Sequence, residues 1–130
     1  MTLILHKRLP AQVEAVPEAR LAVCSALAGA GLTDGTLQRA VALSVTEATA
    51  NVIRHAYPRA DDGRFEITVV HHPSTIEVAV HDDGVGIDSG RVIDPGAGFG
   101  LLLMRTQAQR LDIASGADGT TVTMHFELGE

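Results

Sequence analysis

Glu47 and Asn51 stand four residues apart in a stretch that reads as an amphipathic helix, and Arg54 and His55 follow on the next turn. At about 100° per residue these four side chains fall on one sector of the helix. They lie beside the apolar stripe of Leu37, Val41, Val45, Ala48 and Val52 rather than on it. Such a helix can anchor itself by the stripe while its polar sector lines a cleft. Asn51 offers a neutral carbonyl oxygen of the kind Mg²⁺ takes alongside waters and phosphate oxygens. Glu47 can accept a proton from an attacking hydroxyl or water, and Arg54 can face phosphate oxygens. The same residue types also make an ordinary solvated helix face.

Two glycine motifs lie further along. Val80-His81-Asp82-Asp83-Gly84-Val85-Gly86 ends an alternating strand. Its spacing to both glycines favours Asp82 as the ligand-facing carboxylate and leaves Asp83 exposed. Gly84 and Gly86 let the backbone turn closely under a flat ligand, although Asp-Gly after a strand is also a common turn. Gly96-Ala97-Gly98-Phe99-Gly100-Leu101 opens a second helical stretch. Glycines ahead of a helix expose backbone N–H groups to an anion, and the helix dipole adds to this; a flexible loop before a helix accounts for them equally. This motif does not follow a strand within a βαβ unit, so a dinucleotide fingerprint is rejected. The Lys-Ser/Thr pair of a Walker loop is absent too.

These residues need elements to hold them. Residues 2–8 alternate like a strand. A helix starts at Val16-Pro17-Glu18, since Pro tolerates the first turn. It runs to Gly29 with Val16, Leu21, Val23 and Leu27 among its apolar positions, and Gly29-Ala30-Gly31 ends it. Thr33 or Asp34 caps the next helix, which Pro58 stops. Phe65, Ile67 and Val69 then alternate with polar residues, as do Ile76, Val78 and Val80, with His72-Pro73-Ser74 as the turn between them. Residues 88–98 read as a loop and about Gly100 to Arg110 as a helix. A strand near 111–116, the Asp118-Gly119 turn and a last strand with Val122, Met124, Phe126 and Leu128 on one face close the chain. The sum is an α/β two-layer sandwich: a mixed, mostly antiparallel sheet with helices on one face.

At 130 residues the chain fits one domain, 1–130, able to bury roughly two-thirds of its unfolded surface. Apolar residues make up 45% and aromatics 3%, so the expected core is aliphatic. One cysteine, Cys24, excludes an internal disulfide and suits a reducing cytoplasm. No apolar run reaches membrane-spanning length, and MTLILHKRLP is too short for a signal peptide. A net charge of -6 argues against nucleic acid as the main partner.

In this order and these contexts, the motifs resemble the GHKL ATPase superfamily, whose Bergerat ATP-binding fold is unrelated to the Walker type. The stretch Leu43-Ser44-Val45-Thr46-Glu47-Ala48-Thr49-Ala50-Asn51-Val52-Ile53-Arg54-His55-Ala56-Tyr57 looks like the form found in its anti-sigma factor branch. That branch holds serine/threonine protein kinases similar to the bacterial switch kinases of sporulation and general stress. The resemblance covers nearly the whole chain and departs from the family at Phe99, where a smaller residue or Leu is usual.

The resemblance implies ATP and Mg²⁺ as cofactors, with Glu47 catalytic, Asn51 on the metal, and Asn51, Arg54, His55, Asp82, Gly84, Gly86, Gly98, Phe99, Gly100 and Leu101 about the nucleotide. Asp82 would accept the adenine amino proton, and Thr120 of Gly119-Thr120 would place a hydroxyl beside it. Besides Arg54, Arg91 and Arg105 are candidates to close over the γ-phosphate. The implied reaction moves the γ-phosphoryl group to a Ser or Thr of an anti-anti-sigma (STAS) partner, while the chain also sequesters a sigma factor. Arg20 matches an arginine position at the family's partner surface, and a homodimer is the family expectation. Two other functions fit the residues: a non-catalytic ATP-gated binding module, and the ATP-binding domain of a histidine kinase. The latter needs a phospho-accepting His on a dimerisation helix pair, for which there is no room ahead of residue 16.

Overall fold

The computed structural model describes residues 1–56, 63–84, 108–116 and 119–128. Strand β1 (Thr2–Pro10) leads into helix α1 (Ala15–Gly29) and helix α2 (Gly35–Asn51). A π-helical turn, Val52–Ala56, extends α2. Strands β2 (Arg64–His71), β3 (Thr75–Asp82), β4 (Arg110–Gly116) and β5 (Gly119–Glu127) follow. The sheet order is β1-β2-β3-β5-β4, and every described pairing is antiparallel. Both helices pack on one face of it, so the two-layer α/β sandwich is the observed architecture.

Local chemistry sets the helix ends. Gly31 takes φ +83, and the Leu32 N–H reaches the Leu27 carbonyl at 2.9 Å while the Gly31 N–H reaches that of Ala28 at 3.0 Å. That is the paired closure of a Schellman motif, which favours a residue without a Cβ at its left-handed position. Of the two candidate caps for α2, Asp34 is the one used: its Oδ2 accepts the Leu37 N–H at 2.9 Å.

The core lies between the helices and the inward face of the sheet. Phe65, Ile67 and Val69 of β2 and Ile76, Val78 and Val80 of β3 are buried, as alternation predicts. Met124 and Phe126 continue this layer on β5. Phe65 and Phe126 are among its largest side chains, so the core is less purely aliphatic than composition implies. From α2 it receives Val41, Val45 and Ala48, and from α1 Ala15, Ala19, Val23 and Leu27.

Two expectations need correction. Leu21 does not belong to the buried stripe of α1; it is 69% exposed. The buried positions follow i, i+4 spacing from Ala15, which turns Leu21 to the far side and brings small alanines to the core. The helix expected to reach Arg110 does not do so. Its first residues lie outside those described, but Arg110 begins β4. Gln109 is already bound to β5, its N–H on the His125 carbonyl at 3.0 Å and its Oε1 on the Glu127 N–H at 2.9 Å. Among the described residues no helix is long and apolar enough to cross a membrane.

Candidate functional site

Three hydroxyls of helix α2, those of Ser44 and Thr49 buried, are satisfied by the helix itself. Ser44, Thr46 and Thr49 donate to the carbonyls of Ala40, Ala42 and Val45 at 2.8–2.9 Å. Glu47 and Asn51 of the same helix are both half-buried. Asn51 is the last residue of α2 before the backbone widens into its π turn. Such widenings occur often at functional sites. Arg54 lies on that turn and donates from Nη2 to Asn51 Oδ1 at 3.0 Å.

The second group sits on the strands beneath. Asp82 and Thr120 are paired residues of β3 and β5, and each is 5% exposed. Asp82 Oδ1 accepts the Gly84 N–H at 2.9 Å, closing a turn at the end of β3. Burial pushes the Asp82 carboxyl above its ordinary range; the N–H of Gly84, the nearby His81 and the N–H of Thr120 offset part of this, and Asp83 adds to it. The Thr120 hydroxyl shares a 2.9 Å hydrogen bond with that of Ser115 on β4.

Packing of α2 on β3 and β5 places both groups on the same side of the sheet. That packing is the link between them; among the described residues no hydrogen bond joins Glu47 or Asn51 to Asp82 or Thr120. Arg20 stands on the exposed face of α1. His55 falls within the π turn, and its side chain is outside the described structure. Gly86, Gly98, Phe99, Gly100, Leu101, Arg91 and Arg105 also lie outside the described residues. A groove lined by Leu32, Asp34, Leu37 and Leu128 is at the opposite end of α2 from Asn51 and holds none of the candidate residues.

Two residues contribute more than the sequence indicated. Gly119 has φ +107, and a Cβ on it would collide with the Asp82 carbonyl. Ser115 holds the Thr120 hydroxyl. The sequence marked Gly119 only through the Asp-Gly turn and the Gly119-Thr120 pair, and Ser115 not at all.

The donor set fits a nucleotide with its metal. A buried carboxylate with a neighbouring hydroxyl suits a base that presents an amino group. Among the described residues no cluster of three His, Cys, Asp or Glu can hold a metal ion. One amide oxygen and one carboxylate suit an ion that keeps its waters and takes phosphate oxygens, not one that needs a protein cage.

A family model described as the histidine kinase-like ATPase domain matches residues 9–126. The chain is 32% identical over 77 residues to the sensor histidine kinase PdtaS of Mycobacterium tuberculosis, covering 58% of this chain and 15% of that protein. It is 30% identical over 81 residues to the serine-protein kinase RsbW of Listeria monocytogenes, covering 62% and 51%. The crystal structure of the RsbU and RsbW domains of Rv1364c from Mycobacterium tuberculosis aligns at a TM-score of 0.75 and 22% identity, covering 94% of this chain and 31% of that one. At that identity the agreement is one of fold. The chain spans about half, or much less, of the length of the curated relatives it matches.

Proposed function

The chain belongs to the histidine kinase-like ATPase domain family, and we propose that it is an ATP-dependent serine/threonine protein kinase of the anti-sigma type. The observation that carries this reading is the Glu47–Asn51 pair, one helical turn apart on the half-buried side of α2, over the strands that hold Asp82. A site that only binds nucleotide has use for Asp82, Thr120 and Asn51. A carboxylate one turn before the metal-binding amide is what phosphoryl transfer adds.

The roles follow from what each group can do. Bound ATP with Mg²⁺ supplies the γ-phosphoryl group and neutralises its charge. Asp82 accepts a hydrogen bond from the adenine amino group, a donor guanine does not present there. Asn51 would hold Mg²⁺ through Oδ1, and Arg54 turns from Asn51 to phosphate oxygens. Glu47 orients the incoming hydroxyl and accepts its proton, the positioning on which such transfer mostly depends. The substrate is a Ser or Thr of an anti-anti-sigma (STAS) protein, and a sigma factor is the alternative partner. Both meet a surface that includes the exposed Arg20 of α1. A cytoplasmic homodimer is the form this reading assumes. The serine-protein kinase RsbW among the relatives supports it.

The similarity to a sensor histidine kinase favours a second reading, in which the same site phosphorylates a histidine on another segment or chain. One experiment separates the two. The protein is incubated with γ-labelled ATP, Mg²⁺ and a STAS protein encoded beside it. Acid-stable phosphoserine or phosphothreonine is expected. Acid-labile label on histidine establishes the second reading. ATP binding with no transfer to any partner leaves a nucleotide-gated binding module and overturns both.

A further inference from the structure

The two consecutive carboxylates at the end of β3 are preceded by a histidine, His81, that no role above uses. Asp82 turns toward the helices, so His81 and Asp83 belong to the other side of the strand end. The His81 ring lies on the outer face of the sheet between two partners. Its Nδ1 is 2.7 Å from Thr121 Oγ1, on the residue paired with it across β5. Its Nε2 is 2.9 Å from Asp83 Oδ1. The neutral tautomer that serves both contacts donates from Nε2 to Asp83 and accepts the Thr121 hydroxyl at Nδ1.

The position of this contact gives it consequence. Asp82↔Thr120 is the last pair of the β3–β5 ladder, and Phe65↔Asp82 ends the pairing of β3 with β2. Beyond Asp82 the backbone loses its ladder partners and enters Gly84. Among the side-chain hydrogen bonds that hold the strand end are Asp82 to the Gly84 N–H inside and His81 to Asp83 outside.

We propose that His81 is a positioning residue for nucleotide recognition: it holds the Asp83 carboxylate and the Thr121 hydroxyl on the outer face, so that Asp82 alone presents its carboxylate to the base. This rests on the nucleotide reading above. It explains how a chain with Asp-Asp at this point can discriminate a base with one of them. His81 touches no ligand in this scheme and acts through the turn.

Calorimetric titration of the 130-residue chain with Mg·ATP and with Mg·GTP tests it. His81→Ala is expected to weaken ATP binding by about 3- to 10-fold, the worth of one hydrogen bond. GTP binding stays as it was, so the preference for ATP narrows. His81→Gln, which keeps an N–H donor, recovers part of the loss. Asp83→Ala weakens ATP binding to a similar extent, and the double variant is no weaker than His81→Ala alone. Unchanged ATP affinity in His81→Ala, an equal loss for both nucleotides, or losses that add in the double variant would overturn the inference. A wild-type chain that binds no ATP would sink the nucleotide reading and the inference together.

Discussion

Gly119 and Asp82 meet backbone to backbone. A Cβ built on Gly119 would overlap the Asp82 carbonyl oxygen and stand 2.8 Å from both the Asp82 carbonyl carbon and Asp83 Cα. The atoms in the way are main chain at the strand end that holds the candidate base-binding carboxylate, so no side chain can swing aside. Gly119 also takes φ +107, which L side chains rarely adopt. Gly119→Ala therefore has to move β5 away from β3. Backbone strain alone is expected to cost about 1–3 kcal/mol, and the overlap adds to it. Urea unfolding reads the loss as a lower midpoint, and ATP affinity falls with it. A variant with the wild-type midpoint and affinity would refute this account of the strand junction.

Asp82 is held at some expense to the fold. Its carboxyl is raised from an ordinary 3.8 chiefly by burial. The folded state therefore binds that proton more tightly than the unfolded chain does. The group's contribution to stability is complete below 3.8 and is lost as pH rises through the raised value. Nucleotide binding through Asp82 is expected to have the opposite dependence, because the ionised carboxylate is the stronger acceptor for the amino proton. ATP affinity is expected to decline as the medium is acidified through the same window, and Asp82→Asn should lack that acid limb. At neutral pH the substitution should weaken ATP binding by about 10- to 100-fold, as for a hydrogen bond to a charged acceptor. ATP titrations of both proteins at several pH values supply the comparison, and equal affinities at neutral pH would remove Asp82 from the site.

The alternating strands were the most legible part of this fold, because a sheet with helices on one face imposes period two on the sequence. The same alternation carries through 76, 78 and 80 to 82, a second reason, beside glycine spacing, to expect Asp82 inside and Asp83 outside. Helix α1 was less legible. Val23 and Leu27 of its core face were expected, but the other half is Ala15 and Ala19, small residues that carry little hydrophobic signal, while Leu21 carries a strong one and is exposed. The π turn after Asn51 has no composition of its own and follows from how α2 ends. Gly119 reads as half of an Asp-Gly turn; the tight approach that requires glycine is to Asp82, a contact distant in sequence.

The hydrogen bond from Arg54 to Asn51 divides two roles that a simple loss of affinity would merge. Asn51 Oδ1 has two lone pairs, one of which Arg54 uses at 3.0 Å. If Asn51 serves the metal and Arg54 the phosphates, their substitutions respond differently to Mg²⁺. Asn51→Ala should bring ATP affinities with and without Mg²⁺ close together. Arg54→Ala should lower both by about 10-fold, in parallel. Arg54→Lys recovers only part, since an ammonium lacks the planar fork of donors. A parallel loss in Asn51→Ala would take the metal away from this residue.

Glu47 is the residue on which a kinase rather than a binding module depends. It is half-buried on α2, one turn before Asn51, and its replacement by Gln keeps the size and one acceptor oxygen. The variant is therefore expected to fold as wild type and to bind Mg·ATP within about twofold of it, since the proposed contacts to base and phosphate come from other residues. The phosphoryl-transfer rate to the STAS substrate is expected to fall by about 10²- to 10⁴-fold, the usual range for loss of a positioned base. Single-turnover transfer from labelled ATP separates chemistry from binding. A Glu47→Gln protein that transfers phosphate at the wild-type rate would show that the hydroxyl is deprotonated elsewhere. A tenfold or greater loss of ATP affinity would show instead that Glu47 contributes to binding.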